Sequence, residues 1–382
     1  MKILFDLISI QGYHSGGGEY VKIVFQKLLS NESNSIFGLY DSHLPFLGRD
    51  LDDISTRVQL LDVQNKDIYE YIRTYEIDTF FIGIVQRYIR YNLQNIECKI
   101  ICVIHDVGDL EIVNNNIHYL YPYSLKNYMR MSIDYWLRNT KYSTPNRVKA
   151  QYQKIEPLLL QDNVTLITVS KYTRNSLLYF FTKLEKKQIN VLYPPGKKYI
   201  LDKNVSKENL TNIFSQKKKY LLFLNANREN KNFNILLRSW NVIKKRFPDM
   251  LLIVTGSKGE LSDKDIISFD YVSNSDVEYL YMNAWALIYS SYTEGFGYPP
   301  IEAMKYSTPV ISSNVCSMPE ILGDAALYFS PLYENDLFCK VECLSENYHY
   351  YKMKSREQYQ KIALKQVQDF DKLINGIIDG FS

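Results

Sequence analysis

The chain has 382 residues and a mass of 44.9 kDa, more than one ordinary domain needs and enough for two of roughly 150 to 200 residues. Its 45 Lys and Arg against 42 Asp and Glu leave a net charge of +3, and 46% of residues are apolar. This balance excludes a disordered or collagen-like chain and a protein that works mainly by coating nucleic acid, so no nucleic-acid partner is expected.

In chain order, Lys2 to Ile8 is a short apolar run that predicts a buried strand, and a glycine cluster leads from it into a helical pattern around Val21 to Leu29. Similar strand signals follow at Ser35 to Tyr40, Thr79 to Ile84, Lys99 to Ile104, Val164 to Val169 and Ile189 to Leu192, with helical spacing between them at Ile68, Ile72 and Tyr75. Such alternation predicts a mostly parallel sheet covered by helices. At Tyr193-Pro194-Pro195-Gly196 the pattern stops, and a polar stretch from Lys197 to Lys219 marks a domain boundary. A second series begins with strand Tyr220 to Asn225, helix Phe233 to Phe247 and strand Met250 to Thr255. It continues with a helix near Asp276 to Asn283, strand Trp285 to Tyr289, helix Ile301 to Tyr306 and strand Val310 to Ser312. The last 30 residues or so carry apolar positions Ile362, Val367, Phe370 and Ile374 at helical spacing. The expected domains are residues 1–196, joined by a returning C-terminal helix at about 358–382, and residues 197–357. Two Rossmann-like domains with parallel sheets would face each other across a central cleft, with ligands beyond the carboxyl ends of the strands.

The segment Ser290-Ser291-Tyr292-Thr293-Glu294-Gly295-Phe296-Gly297-Tyr298-Pro299-Pro300-Ile301-Glu302 concentrates the chemistry. A strand ends near Ser290, glycines let a ligand approach the backbone, and prolines suit the first helical positions. Glu302 is expected in the first helical turn, where a carboxylate is favoured and could accept two neighbouring ribose hydroxyls. Glu294 is expected on the loop, within reach of hexose hydroxyls. Taken singly, the two are equally an ordinary first-turn acid and a solvated loop residue.

Together with Thr308-Pro309-Val310-Ile311, Pro319-Glu320 and Gly323-Asp324-Ala325-Ala326, this frame resembles the retaining glycosyltransferases of family 4, which have the GT-B fold. The resemblance runs most clearly from about Asn225 to Pro331. It implies a nucleotide-diphosphate sugar as donor, with Glu302 on the ribose, Glu294 on the donor sugar, and the backbone of Gly295, Phe296 and Gly297 assisting. It also implies a glycan or lipid-linked acceptor, as in surface polysaccharide biosynthesis.

A diphosphate needs positive charge, and Asn227-Arg228-Glu229-Asn230-Lys231-Asn232-Phe233 offers two cations where a helix begins. Arg228 and Lys231 are therefore the expected phosphate clamp, against the alternative of a solvated charge pair. The turn Gly16-Gly17-Gly18-Glu19-Tyr20 lacks the full dinucleotide fingerprint, but resembles the family's glycine loop beside donor phosphates and acceptor. Ile104-His105-Asp106-Val107 resembles its His-Asp pair, which would bring His105 to the donor sugar. Ser170, after Thr168-Val169, reads as a helix cap.

Neither Asp50-Leu51-Asp52 nor Asp369-Phe370-Asp371 follows an apolar strand as a metal-binding Asp-x-Asp would, and no other metal or cofactor motif is present. The expectation is metal-independent transfer without a cofactor. Five cysteines without framework spacing suit free thiols in a reducing compartment. No uncharged apolar stretch approaches the roughly 20 residues that cross a bilayer, and Asp6 interrupts what would be a signal core. A cytoplasmic protein is expected. From Tyr121 to Glu156, seven Lys and Arg residues interleaved with aromatics suit either an anionic membrane surface or lipid-diphosphate acceptor, or a solvated helical pair over a core. The competing functions are a nucleotide-sugar epimerase of the same fold and a non-catalytic partner subunit. No sequence feature sets the base, the sugar, the acceptor or the oligomeric state.

Overall fold

The computed structural model describes residues 1–31, 34–46, 54, 56–93, 96–120, 125–138, 140–197, 218–257 and 263–381, without the side chains of residues 118–119, 125–128 and 130. Asp50-Leu51-Asp52 and most of the polar stretch after Lys197 lie outside the described residues. The chain divides into two compact units, Met1–Lys197 with Lys365–Ser382, and Lys198–Leu364.

The first unit holds strands β1 (Lys2–Asp6), β2 (Ser35–Tyr40), β3 (Gln59–Asp62), β4 (Thr79–Ile82), β5 (Lys99–Ile104), β6 (Val164–Thr168) and β7 (Ile189–Val191). They form one parallel sheet in the order β3-β2-β1-β4-β5-β6-β7. The second unit holds β8 (Tyr220–Phe223), β9 (Leu251–Thr255), β10 (Ile266–Phe269), β11 (Ala286–Tyr289), β12 (Val310–Ser313) and β13 (Ala326–Phe329). These are also parallel, in the order β10-β9-β8-β11-β12-β13.

Each sheet is covered by helices, so its central strands are apolar on both faces: Leu4, Phe5, Phe80, Phe81, Ile100, Leu166, Leu221, Leu252 and Leu287 are fully buried. Each such side chain contributes about 1.5–3 kcal/mol of transfer free energy. Strands β3, β10 and β13 were not expected from the sequence. All three are four-residue sheet edges; polar positions such as Gln59 and Ser268 interrupt β3 and β10, whereas β13 is a mostly buried apolar run, Ala326–Phe329.

The helix expected around Val21 starts earlier, at Gly16, and runs to Leu29 with the glycines forming its first turn. Ser15 caps it, its Oγ accepting the Gly18 N–H at 2.9 Å. The final helix runs from Tyr348 to Asp379. Its later part is tied to the first unit: Asp369 is buried and accepts the Tyr193 N–H at 2.9 Å, and Gln366 donates to the Pro194 carbonyl at 2.7 Å. All five cysteines are free, and burial pushes the Cys98 thiol up to about 12.

Candidate functional site

Strand order reverses direction between β8 and β11, and a crevice beyond the carboxyl ends of two such strands is where open α/β sheets receive ligands. The loops that leave these strands carry the predicted donor-side residues. After β8 the backbone turns at Asn225 (φ 59°), passes through the short 3-10 turn Glu229–Lys231, and turns again at Asn232 (φ 53°) to start the helix Phe233–Arg246. Asparagine tolerates this left-handed conformation better than most side chains, so the spacing of the two asparagines sets where the turn begins and ends. Ser290, at the end of β11, donates its hydroxyl to the carbonyls of Lys231 and Asn232 at 2.7 and 3.0 Å, and the Tyr292 N–H donates to the Asn230 carbonyl at 2.8 Å. The two loops are thereby laced into one rigid piece.

Within this piece Lys231 turns inward. Its ammonium donates to the Tyr289 hydroxyl at 2.9 Å, forms an ion pair with Glu294 Oε1, and lies 4.5 Å from the Tyr289 ring centroid. Burial, and then the neighbouring Glu294 carboxylate, hold the Tyr289 phenol well above its ordinary value, so it stays a neutral hydrogen-bonding group. The Lys231 side chain is 8% exposed and that of Glu294 is 14%, so Glu294 is the more accessible of the pair. Arg228, by contrast, is exposed at the start of the turn.

Glu302 is held by another partner, the buried Tyr281, whose hydroxyl donates to Oε2 at 2.9 Å. The helix that carries it spans Tyr298–Lys305 and has no acid in its first turn. The expectation of Glu302 in the first turn is therefore corrected: the helix starts ahead of Pro299 and Pro300 rather than after them, which puts Glu302 in the second turn and weakens the dipole argument. Gly297 caps this helix with φ 86°, and a Cβ there would lie 2.4 Å from Met318 Cε, so no other residue fits without displacement. Phe296 is buried, its ring 5.6 Å from that of Tyr298, and Ser317 donates to the Glu294 carbonyl at 3.0 Å. Gly295 lies between Glu294 and Phe296 on the same loop.

The remaining predicted residues sit in the first unit, at the equivalent reversal between β1 and β4. His105, just after β5, contacts the Gly83 carbonyl through Nε2 at 3.0 Å and meets the Tyr20 ring edge-on at 5.0 Å. Burial pushes its imidazole down to about 4, so it is neutral at physiological pH. Gly17 approaches both: a Cβ on it would fall 2.8 Å from Ile84 Cδ1 and 3.5 Å from His105 Cδ2. Gly16 and Gly18 lie on the same first turn. Ser170 accepts the Thr173 N–H at 3.0 Å and caps the helix Lys171–Phe180.

Sequence reasoning missed four residues here. Tyr289 and Tyr281 have no local signature, because their partners lie 58 and 21 residues away. Asp6 is fully buried at the end of β1, and its carboxylate accepts the N–H groups of Ser9 and Gly83 at 2.9 Å each and the Tyr88 hydroxyl at 2.7 Å. Burial nevertheless raises its pKa above the usual carboxylate range. An acid closing an apolar strand was the available signal. Arg87, in the turn after β4, lays its guanidinium 4.2 Å from the Tyr13 ring centroid, with Nη2 buried and not hydrogen-bonded. Among the described residues no three His, Cys, Asp or Glu side chains gather into a metal-binding group.

Residues 206–365 match the family model of glycosyl transferases group 1. Over 117 residues, 26% of this chain and 30% of the relative, the sequence is 36% identical to the O-antigen chain mannosyltransferase B of Escherichia coli. Over 73 residues, 19% of this chain and 21% of the relative, it is 47% identical to the O-antigen chain mannosyltransferase RfbU of Salmonella typhimurium. The chain thus matches less than a third of the length of each of these relatives. Among solved structures, sucrose-phosphate synthase from Thermosynechococcus elongatus is similar with a TM-score of 0.67 at 14% identity, covering 98% of this chain and all of that one. WaaG, a glycosyltransferase involved in lipopolysaccharide biosynthesis, gives 0.63 at 14% identity, covering 98% and 99%. These likenesses, with two parallel α/β units, show the GT-B fold.

Proposed function

We propose that the chain is a glycosyltransferase that moves a hexosyl group, mannosyl by analogy with its O-antigen relatives, from a nucleoside-diphosphate sugar to a glycan or lipid-linked acceptor of a surface polysaccharide. The observation that carries this reading is the Lys231–Tyr289–Glu294 cluster at the β8/β11 reversal, beside a Glu302 oriented by Tyr281, within the segment that matches the glycosyltransferase family model. The family is read as family 4, and transfer as retaining.

In this reading Glu302 accepts the ribose hydroxyls and Glu294 those of the donor sugar. Lys231, fixed by its two partners before substrate arrives, and Arg228 counter the charge that grows on the departing diphosphate. A preorganised cation of this kind costs no reorganisation at the moment of reaction, and commonly contributes several kcal/mol to lowering the barrier. These ammonium and guanidinium charges supply the electrostatic part of catalysis without a metal ion or other cofactor. Neutral His105, its Nε2–H engaged by the Gly83 carbonyl, keeps Nδ1 to accept a hydroxyl of the donor sugar, the Gly16-Gly17-Gly18 turn would approach phosphates and acceptor, and Arg87 suits a phosphate of a lipid-linked acceptor. The curated relatives are transferases, which supports transfer over epimerisation or a non-catalytic role. The protein would act in the cytoplasm.

The test is incubation of the protein with mannose and glucose donors of UDP, GDP, ADP and dTDP, with and without a lipid-diphosphate glycan, followed by NMR of the anomeric proton. The expected product retains the donor configuration and forms with chelator present. A chain that binds none of the four nucleoside diphosphates, or that forms product of inverted configuration, would overturn the reading.

A further inference from the structure

Among the described side chains of helix Leu125–Trp136, burial runs against hydropathy. Met129, Ile133 and Trp136 stand at i, i+4 and i+7 on one helical face, and they are 58%, 58% and 86% exposed. The acid between them, Asp134, is buried, and its Oδ1 accepts the Thr144 N–H at 2.6 Å. The helix is thus anchored to the start of the next helix, Thr144–Gln153, through its carboxylate and turns its apolar stripe to solvent. Tyr135 and Tyr142 extend the exposed aromatic surface.

The segment that carries this stripe has charge of nearly one sign along the chain. Residues 125–154 contain Lys126, Arg130, Arg138, Lys141, Arg147, Lys149 and Lys154 against Asp134 alone, although the whole chain carries only +3. Arg138, Lys141, Arg147 and Lys149 are exposed. The Arg138 guanidinium lies 4.1 Å from the Tyr135 ring centroid and the Lys141 ammonium 5.3 Å from that of Tyr142, so cations and aromatic rings share one level. The next acid in sequence, Glu156, is occupied by Lys183 at 2.9 Å. No described helix is long and apolar enough to cross a membrane.

We propose that this face docks onto an anionic lipid bilayer, with Met129, Ile133 and Trp136 entering the boundary between headgroups and acyl chains, and Arg138, Lys141, Arg147 and Lys149 on the lipid phosphates. Three apolar side chains on two turns are a small footprint for a specific protein interface, which buries about 800 Å² on each partner. Together with four exposed cations of the same segment they suffice for interfacial binding, where each buried methylene and each basic residue adds to affinity. This inference stands independently of the transferase reading.

The chain contains its own probe. Of its three tryptophans, Trp240 and Trp285 are 2% and 6% exposed, so only Trp136 can change environment on contact. Vesicles rich in phosphatidylglycerol should shift the emission of the full chain to the blue, and brominated acyl chains should quench it. Pure phosphatidylcholine vesicles should do neither, and salt near 0.5 M should weaken the effect. Trp136→Ser should abolish the optical change. Ile133→Ser should lower partitioning in flotation about tenfold, and Arg138→Gln with Lys141→Gln about fivefold for each charge removed. Thermal melting should be unchanged in all of these, since each residue is exposed. Failure to float with anionic vesicles at low salt, or equal binding to neutral ones, would overturn the proposal. So would a blue shift that follows protein concentration instead of lipid, with dimers in sedimentation, which would assign the face to a second copy. None of these readouts requires sugar transfer, so the proposal can fail while the transferase reading stands.

Discussion

Two crevices in this molecule arise from one topological rule and are filled with different chemistry. Where β1 and β4 part, the centre is a buried acid satisfied entirely by its own unit: Asp6 gathers Ser9, Gly83 and Tyr88, and the neutral His105 leans on the Gly83 carbonyl. Where β8 and β11 part, the centre is an ion pair, Lys231 with Glu294, whose acid is partly open to solvent. The first arrangement closes a loop onto a sheet. The second holds a positive charge ready beside an accessible carboxylate. A shared strand order therefore places both crevices, but the side chains decide whether the centre of each is a carboxylate satisfied by its own unit or an ion pair partly open to solvent.

The comparison can be broken most decisively at Lys231. Lys231→Ala should lower kcat by roughly 10²–10³ with a smaller change in KM, because the charge it meets grows as the bond breaks. A kcat within about threefold of the parent would remove Lys231 from the mechanism. Asp6→Ala should instead act on stability, by about 3 kcal/mol, since buried donors of Ser9, Gly83 and Tyr88 lose their acceptor. Denaturant unfolding measures this, and an unchanged midpoint would show that the first crevice is not held by its acid.

Glu302→Ala should weaken nucleotide binding about tenfold in calorimetry with a lesser effect on kcat, and Tyr281→Phe should reproduce part of that loss by freeing the carboxylate. The smallest effect concerns His105. Its folded pKa of about 4 lies below the ordinary 6.5, so the fold disfavours its protonated form. Its contribution to stability is complete above pH 6.5 and is lost as the pH falls from there through about 4. Proton NMR of His105 should accordingly show no titration between pH 6 and 8, and a midpoint in that range would contradict the neutral ring.

Much of the loop after β11 was legible. Glu294, Gly297, Glu302 and the prolines occupy one contiguous stretch, so their spacing along the chain is close to their spacing in space. The asparagines and cations of 225–232 are similarly local. The exact start of the Tyr298–Lys305 helix was not, because two prolines are compatible with either side of a helix start. Edge strands β3 and β10 were silent because polar positions such as Gln59 and Ser268 break their apolar pattern, whereas β13 carried a readable apolar run at Ala326–Phe329.

The amino-acid order by itself determined two parallel α/β units and the turn residues of the loop after β11, since these follow from short-range periodicity and turn chemistry. Only the tertiary structure decided that Lys231 meets a carboxylate 63 positions away, that Tyr281 orients Glu302, and that Asp6 is knotted to Gly83 and Tyr88. It likewise decided that Asp134 faces inward while Trp136 faces solvent. Such pairings arise when packed sheets bring distant strand ends together in a low-dielectric interior, where an unpartnered charge is costly and the nearest complementary group, wherever it lies in the chain, becomes its partner.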